Sequence, residues 1–371
     1  MNKLHLERIL SQYVTRFEEL DAQARLDSAG RWQAACCFQK EWNIEAEDFE
    51  GMYLAATARM DLVADRMLVT QSDNIAYLLG QGETAFVRDC FERLFSEDDG
   101  DLERRKQRAS AFAEAVNQKT EECAGTLKYP MKMGHGLFYL NMWRPAENYI
   151  YKSTDAASWA NCVEFAEDFG GGRTFSLTRF YRLCDELRKV ISEDDRFRAI
   201  DAQIRETVGA GPDDQMHLLV YDIMYRAQAG HFYKNAGIEK MTVKVRLKKA
   251  AAQERIDSLE LLIAGKRHQM EKMGDQEEVG SLDGAAVVHK KYGKGVVDEV
   301  TDDKIVIRFA DEVRKFKYPH AFHNGFLALE TTDRMDSFKN NAEMAKMKDQ
   351  LTKEIRSLSG ELEALKNEIF V

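Results

Sequence analysis

Three polar residues in the segment 128–230 are the first candidates for acid–base chemistry: His135, His217 and Asp222. Histidine titrates near neutral pH, which suits it to proton transfer. A deep polar pocket that holds one of these groups with a perturbed pKa would favour an enzyme. The spacing assembles no Ser/His/Asp set, and the chain has no G-x-S-x-G nucleophile motif and no HExxH zinc motif. We therefore predict no catalytic residues.

Two short segments carry residues that could bind a ligand. His320 and His323 are three residues apart and would share a face of a helix, as metal ligands do. Pro319 and Gly325 favour a loop instead, and no cysteine is near. The glycine run 170–172, followed by Arg173, could hold a phosphate at a helix N-terminus, but no Lys-Ser/Thr follows it. We predict a turn between helices there, and no metal or cofactor in the protein.

Charge and cysteine content limit the class of protein. The chain has 371 residues, with 53 Lys and Arg against 63 Asp and Glu, so its formal net charge is −10. This balance excludes a protein that coats nucleic acid through charge alone. The six cysteines lie in the first half of the chain without CxxC pairs, which predicts reduced thiols and a cytoplasmic location. No apolar run approaches ~18 residues, so we predict no membrane span and no signal peptide.

Apolar spacing predicts a mainly α protein with a helical domain over residues 1–235. The apolar residues of 6–20 recur every three or four positions, and 216–229 is typical of a core helix. Ser153 or Thr154 should cap a helix that runs through Phe169, and Ser176 should cap the next one.

Two further segments have heptad spacing. Apolar residues step by three and four over 236–278 and again over 334–371. Such a narrow apolar stripe is typical of a coiled-coil seam. We expect the two helices to pair with each other in antiparallel orientation. Pairing with a second copy of the chain is the alternative.

Between these helices the apolar period changes from 3.6 to 2. Segment 281–330 contains four or five short β-rich runs separated by Gly and Asp turns, with a tight hairpin at 301–304. We predict a small SH3-like β-barrel inserted into the coiled coil.

One stretch of this segment, VVHKKYGKGVVDEVTDDKIVIRF, resembles a small bacterial Tudor-like module, such as the carboxy-terminal module of UvrD-type helicases. The matching residues are Val287, His289, Tyr292, Gly293, Gly295, Val297, Ile305, Val306 and Phe309. The resemblance implies a docking surface for a protein or for duplex nucleic acid. The residues it suggests for binding are His289, Lys290, Lys291, Tyr292, Lys294, Arg308, Lys315 and Lys317. Eight cations and eight acids balance over 281–330, so this module alone would bind nucleic acid weakly.

A basic stretch before the first heptad segment is a second candidate contact surface. It comprises Lys244, Arg246, Lys248 and Lys249. Separately, the segment 128–191 resembles helical regions of bacterial restriction and phage-defence proteins, although no single residue carries a role.

These observations together predict a non-catalytic interaction protein. In this interpretation a coiled coil carries a Tudor-like module that docks onto a protein or nucleic-acid partner, in a setting that could be bacterial phage defence. The alternative is a nucleic-acid-processing enzyme or restriction-type component with its site in 128–230.

Overall fold

The computed structural model describes residues 1–63, 74–97, 100–127, 129–210, 215–273 and 280–369. The chain divides into a helical unit, Met1–Ala250, and a second unit, Ala251–Val371. Most described residues are helical, and all strands of the described chain lie in the second unit. The predicted mainly α fold with one small β module is confirmed.

In the residues that the structure describes, the helical unit contains thirteen α-helices and the first turns of a fourteenth. They are α1 (Lys3–Glu18), α2 (Ala22–Ser28), α3 (Gly30–Glu41), α4 (Phe49–Thr57), α5 (described over 74–80), α6 (Thr84–Leu94), α7 (Leu102–Ala124), α8 (Met133–Trp143), α9 (Ser153–Cys162), α10 (Leu177–Glu193), α11 (Asp195–Val208), α12 (His217–Ala229), α13 (Phe232–Asn235) and α14 (Val243–Lys272).

The core of this unit centres on α12, whose residues are buried on nearly every side. Helices α1, α3, α9, α10 and α13 all pack against it. The predicted apolar face of α1 is buried, from Leu6 to Phe17. The large buried area of aromatic and aliphatic side chains is the main source of stability for such a core.

Local signals explain some helix ends and fail at others. Ser176 caps α10 as predicted, with its hydroxyl accepting from the Arg179 amide at 3.4 Å. The helix predicted to reach Phe169 ends at Cys162 instead. Glu164 adopts φ 53° there, and its carboxylate binds the Asn2 amide at 3.0 Å and Lys249 at 2.6 Å. These tertiary contacts hold Glu164 outside the helix.

The second unit contains a curled antiparallel sheet of five strands. They are β1 (Ala286–His289), β2 (Gly293–Val300), β3 (Lys304–Phe309), β4 (Val313–Lys317) and β5 (Leu327–Leu329), in the spatial order β4-β3-β2-β1-β5. The predicted hairpin at 301–304 joins β2 to β3, with the Thr301 amide donating to the Lys304 carbonyl at 2.8 Å.

The sheet is a half-barrel rather than the predicted barrel. In the described chain β4 and β5 are its edges and do not pair with each other. The short helix α15 (His320–His323) and the start of α16 (Thr332–Ile369) pack against the sheet core instead, where the rings of Phe322 and Phe338 stack at 4.5 Å. Helical side chains therefore cover apolar surface that strand pairing would enclose in a closed barrel.

Helices α14 and α16 contact each other through side chains of opposite charge. Arg255 binds Glu361 at 2.7 Å, and Lys366 binds Glu260 at 2.7 Å. Lys266 also pairs with Glu354. The early part of α14, at 255 and 260, thus lies beside the late part of α16, at 361 and 366. Its later part lies beside the earlier part of α16, through Lys266–Glu354 and Met270–Thr352, so the two helices run antiparallel.

The predicted boundaries of the heptad helices differ from the structure. The helix predicted from residue 236 begins at Val243. Gly237 has φ 68° and Ile238 is buried in the core of the helical unit, so both precede the helix. Residues 274–278 and 370–371 of the two predicted helices lie outside the described residues.

No helix in the described ranges is both long and apolar enough to cross a membrane.

Candidate functional site

Asp222, a candidate for acid–base chemistry, is engaged in a buried ionic network. Its carboxylate accepts from the Tyr13 hydroxyl at 2.6 Å and from Nε of Arg226 at 2.6 Å, and it also pairs with Arg31. Asp222 is 1% exposed and Arg31 is 5% exposed. Because α1, α3 and α12 each supply a partner, the contacts point to a structural role for this carboxylate.

His217 is likewise held by its neighbours. Its Nδ1 lies 2.8 Å from the carbonyl oxygen of Pro145, and its ring packs at 4.0 Å from that of Tyr149. Burial lowers the pKa of His217 to about 4, so the ring is neutral at pH 7. The structure does not bring it together with Asp222, although both lie on α12.

His135 lines a cavity. The cavity lies in the helical unit and has a volume of about 770 Å³. We call it the cationic cavity, because four of its lining side chains are Lys106, Lys132, Lys152 and Arg173. The sequence indicated only Arg173, since the other three come from separate elements whose meeting no local pattern encodes.

The glycine run beside Arg173 forms a turn between helices, as predicted. Gly172–Thr174 is a single 3₁₀ turn, and α10 begins only at Leu177. The run therefore does not form the N-terminus of that helix, but it places Arg173 at the cavity wall.

His320 and His323 lie on the short helix α15 and not in the loop that Pro319 and Gly325 favoured. The rings of His320 and His323 lie 6.3 Å apart, and burial lowers the pKa of His323. The residues that the structure describes contain no group of three or more His, Cys, Asp or Glu side chains that could hold a metal ion.

Two residues of the basic stretch at the start of α14 make contacts within the helical unit. Arg246 is 2% exposed and donates to the carbonyl oxygens of Phe165 and Glu167. Lys249 pairs with Glu164 at 2.6 Å. Lys244 is exposed. Arg246 is therefore a tertiary contact rather than a surface cation.

The β module separates its charges by position. The register places the side chains of Lys294, Lys304, Arg308, Lys315 and Lys317 on the face of the sheet opposite its core. We call this the outer face. Four of the eight acids of the module lie in turns, at 302–303 and 311–312, and Glu299 lies on the outer face opposite Val306. The module is neutral in total, yet the charged strand positions of this face are mainly basic.

Apolar side chains lie among these cations. Val288, Val296 and Val313 are 37%, 46% and 55% exposed, and the register places all three on the outer face. Three of the cations have partners: Lys294 binds Glu330 at 2.6 Å, Arg308 pairs with Asp298, and Lys304 lies 3.8 Å from Asp303. Within the described residues, Lys315 and Lys317 make no ion pair, so they are the cations available to a partner.

The first turn of the module holds an aromatic cluster. The ring of Tyr292 lies 4.7 Å from that of His289 and 6.4 Å from that of Phe316. Nδ1 of His289 accepts from the amide of Lys291 at 3.0 Å, which fixes the turn. Arg314 lies 5.2 Å from the Tyr292 ring and was not indicated by the sequence. Lys290 is exposed on the same turn.

Comparison of the chain with protein-family models, with curated proteins and with solved structures found no match.

Proposed function

We propose that this chain is a non-catalytic interaction protein, and that the outer face of its β module docks onto a protein partner. The observation that carries the proposal is the combination of three exposed valines with the unpaired Lys315 and Lys317 on one sheet face. Exposed apolar groups beside cations fit a partner surface that is both apolar and acidic.

The resemblance to a Tudor-like module supports the same assignment. Gly295 lies against β3, where a Cβ would meet Ile307 and Phe309 at 2.8 Å, so its glycine is required by close packing. His289 and Tyr292 pack at the adjoining corner. The proposed module thus uses its matching residues for architecture and its outer lysines for contact. A setting in phage defence stays a prediction.

We further propose that α14 and α16 form an antiparallel coiled coil. On α14, Ile256, Leu259 and Ile263 are buried at steps of three and four, and Leu351 is buried on α16. The three ion pairs between the helices flank this seam, as charged positions do beside a coiled-coil core. In this arrangement the helices pair within one chain, and pairing between two copies is the alternative.

The charges of the outer face fit a nucleic-acid partner less well than a protein partner. Arg308 and Lys294 are neutralised by Asp298 and Glu330, so few cations are available to displace counterions. An enzyme in 128–230 rests on the cationic cavity alone, because His217 and Asp222 are held in internal contacts.

Site-specific cross-linking tests the docking surface. A photoreactive phenylalanine analogue replaces Val313 on the outer face, or Val190 on α10 as a control with 37% exposure. We expect a discrete protein adduct from position 313 only. The adduct should disappear in the double variant Lys315→Glu/Lys317→Glu and persist in Lys189→Glu/Lys234→Glu, which changes the net charge equally.

Equal adducts from both positions, or adducts insensitive to the lysine reversal, would contradict the proposal. Binding of a labelled DNA duplex that falls steeply with salt and is lost in Lys315→Glu/Lys317→Glu would assign the face to nucleic acid instead.

A further inference from the structure

The cationic cavity of the helical unit has the size of a small-molecule site. It lies where α7, the first residues of α8 and α9, and the turn before α10 meet. Its volume of about 770 Å³ falls within the range of about 300–1,000 Å³ that is usual for ligand pockets. The cavity can therefore hold an organic molecule rather than a single ion.

The lining of the cavity is mainly cationic, although the chain as a whole is acidic. Four cations line the cavity, and Glu114 is the only carboxylate among the described lining residues. The whole chain, by contrast, has ten more acids than bases. Like charges around a shared cavity repel one another, so a ligand that carries several negative charges would be stabilised there.

The four cations differ in how far they are already neutralised. Lys106 lies 3.3 Å from Glu103, and Lys152 lies 3.5 Å from the buried Asp155. In the part of the chain that the structure describes, Lys132 and Arg173 make no ion pair. An anionic ligand would therefore form its strongest electrostatic contacts with these two cations.

Uncharged donors line the same space. Ser110 and Ser153 contribute hydroxyl groups. The helices α8 and α9 both begin at the cavity wall, which adds the partial positive charge of their first turns to that of the side chains. Donors that approach from several elements suit the tetrahedral array of phosphate oxygens better than a planar carboxylate.

His135 completes this lining as a neutral ring. It is only 6% exposed, and its Nδ1 lies 2.6 Å from the backbone nitrogen and 2.8 Å from the carbonyl oxygen of Lys132. The backbone of Lys132 therefore occupies Nδ1, and Nε2 is the ring nitrogen left for another partner. Burial lowers the pKa of His135, which favours the neutral ring. The described residues provide no partner for Nε2, which leaves it available to a ligand.

We propose that the cationic cavity binds a small phosphorylated molecule that carries at least two phosphate charges. Arg173 and Lys132 supply the main charge, Ser110 donates a hydrogen bond to a ligand oxygen, and Nε2 of His135 contacts the ligand. This site is independent of the docking surface on the β module.

Isothermal titration of the full chain tests the proposal, with pyrophosphate, ATP and citrate as probes in the absence of divalent metal ions. We expect pyrophosphate and ATP to bind more tightly than citrate. Because one charge-assisted hydrogen bond changes affinity by about tenfold or more, the variant Lys132→Ala/Arg173→Ala should bind the phosphates at least about tenfold more weakly.

Two further variants make the result decisive. Lys189→Ala/Lys234→Ala removes the same charge from exposed positions outside the cavity, and its affinity should equal that of the wild type. Ser110→Glu introduces a carboxylate at the cavity wall and should abolish binding even if the alanine pair does not fold. Loss of binding in Ser110→Glu with an unchanged melting curve supports the proposal.

Three results would overturn it: no binding of either phosphate probe to the wild type, citrate binding as tightly as pyrophosphate, or equal affinity in wild type and Ser110→Glu. A preference for ATP over pyrophosphate would identify the ligand as a nucleotide, and the reverse preference would place recognition in the phosphates alone.

Discussion

Replacement of Asp222 by asparagine should strongly destabilise the helical unit. The substitution keeps the shape of the side chain but removes its charge. Arg31, which is 5% exposed and stacks at 4.2 Å over the Tyr225 ring, then loses its buried counter-ion. Removal of one partner from a buried ion pair costs about 3–5 kcal/mol. For a unit of this size that cost corresponds to a fall in melting temperature of about 6–20 °C.

Tryptophan fluorescence reports this unit selectively. All four tryptophans of the chain, at positions 32, 42, 143 and 159, lie in Met1–Ala250. Urea unfolding followed by their emission therefore isolates the transition of the helical unit from that of the second unit, which avoids a two-state treatment of the whole chain.

Two comparison variants separate the charge effect from other causes. Asp195→Asn removes a carboxylate that is paired with Arg198 but 93% exposed, and should cost less than about 1 kcal/mol. Arg31→Met combined with Asp222→Asn removes the buried cation too, so the double variant should be less destabilised than the two single changes predict together. A loss below about 1 kcal/mol in Asp222→Asn would refute the structural role and restore Asp222 as a catalytic candidate.

Three further outcomes follow from the described contacts. The free energy of unfolding of the helical unit should fall by up to about 3 kcal/mol as the pH falls from about 6.5 to 4. The reason is that His217 takes up a proton in the unfolded chain over this range, whereas the folded ring, with its pKa of about 4, does not. Fluorescence-detected unfolding at several pH values measures this fall, and His217→Asn should make the dependence on pH weaker. Gly295→Ala should unfold the β module by clashing with β3, whereas Gly280→Ala, where a Cβ meets nothing within 4 Å, should not; circular dichroism in urea distinguishes them. In the native state a thiol reagent should modify Cys36 and Cys123 well before the buried Cys90, Cys162 and Cys184, because burial raises the pKa of the three buried thiols and removes access. Cys37 should react at an intermediate rate, because partial burial raises its pKa too. Equal rates for all six would contradict this burial.

Local patterns in the sequence predicted much of the fold. The change of apolar period after residue 280 located the β module, because strands and helices bury alternate sets of positions. The turn at 301–304 and the cap at Ser176 depend on neighbouring residues only, so they too could be predicted.

Contacts between segments that are distant in sequence could not be predicted from local patterns. The end of α9 depends on Glu164 binding Asn2 and Lys249, which are far away in sequence. The half-closed sheet depends on Phe338 of α16 packing against Phe322. Likewise, Lys106, Lys132 and Arg173 reach one cavity from three elements, and only the tertiary packing brings them together.

Removal of the β module from the chain tests most directly whether this module docks the partner. Residues 281–330 are replaced by a short glycine–serine linker between α14 and α16, and the affinity of this variant is measured for the partner captured by cross-linking at position 313. If the module docks the partner, binding falls to background while the tryptophan-detected unfolding of the helical unit is unchanged. Undiminished affinity, with the helical unit still folded, would show that docking resides elsewhere in the chain.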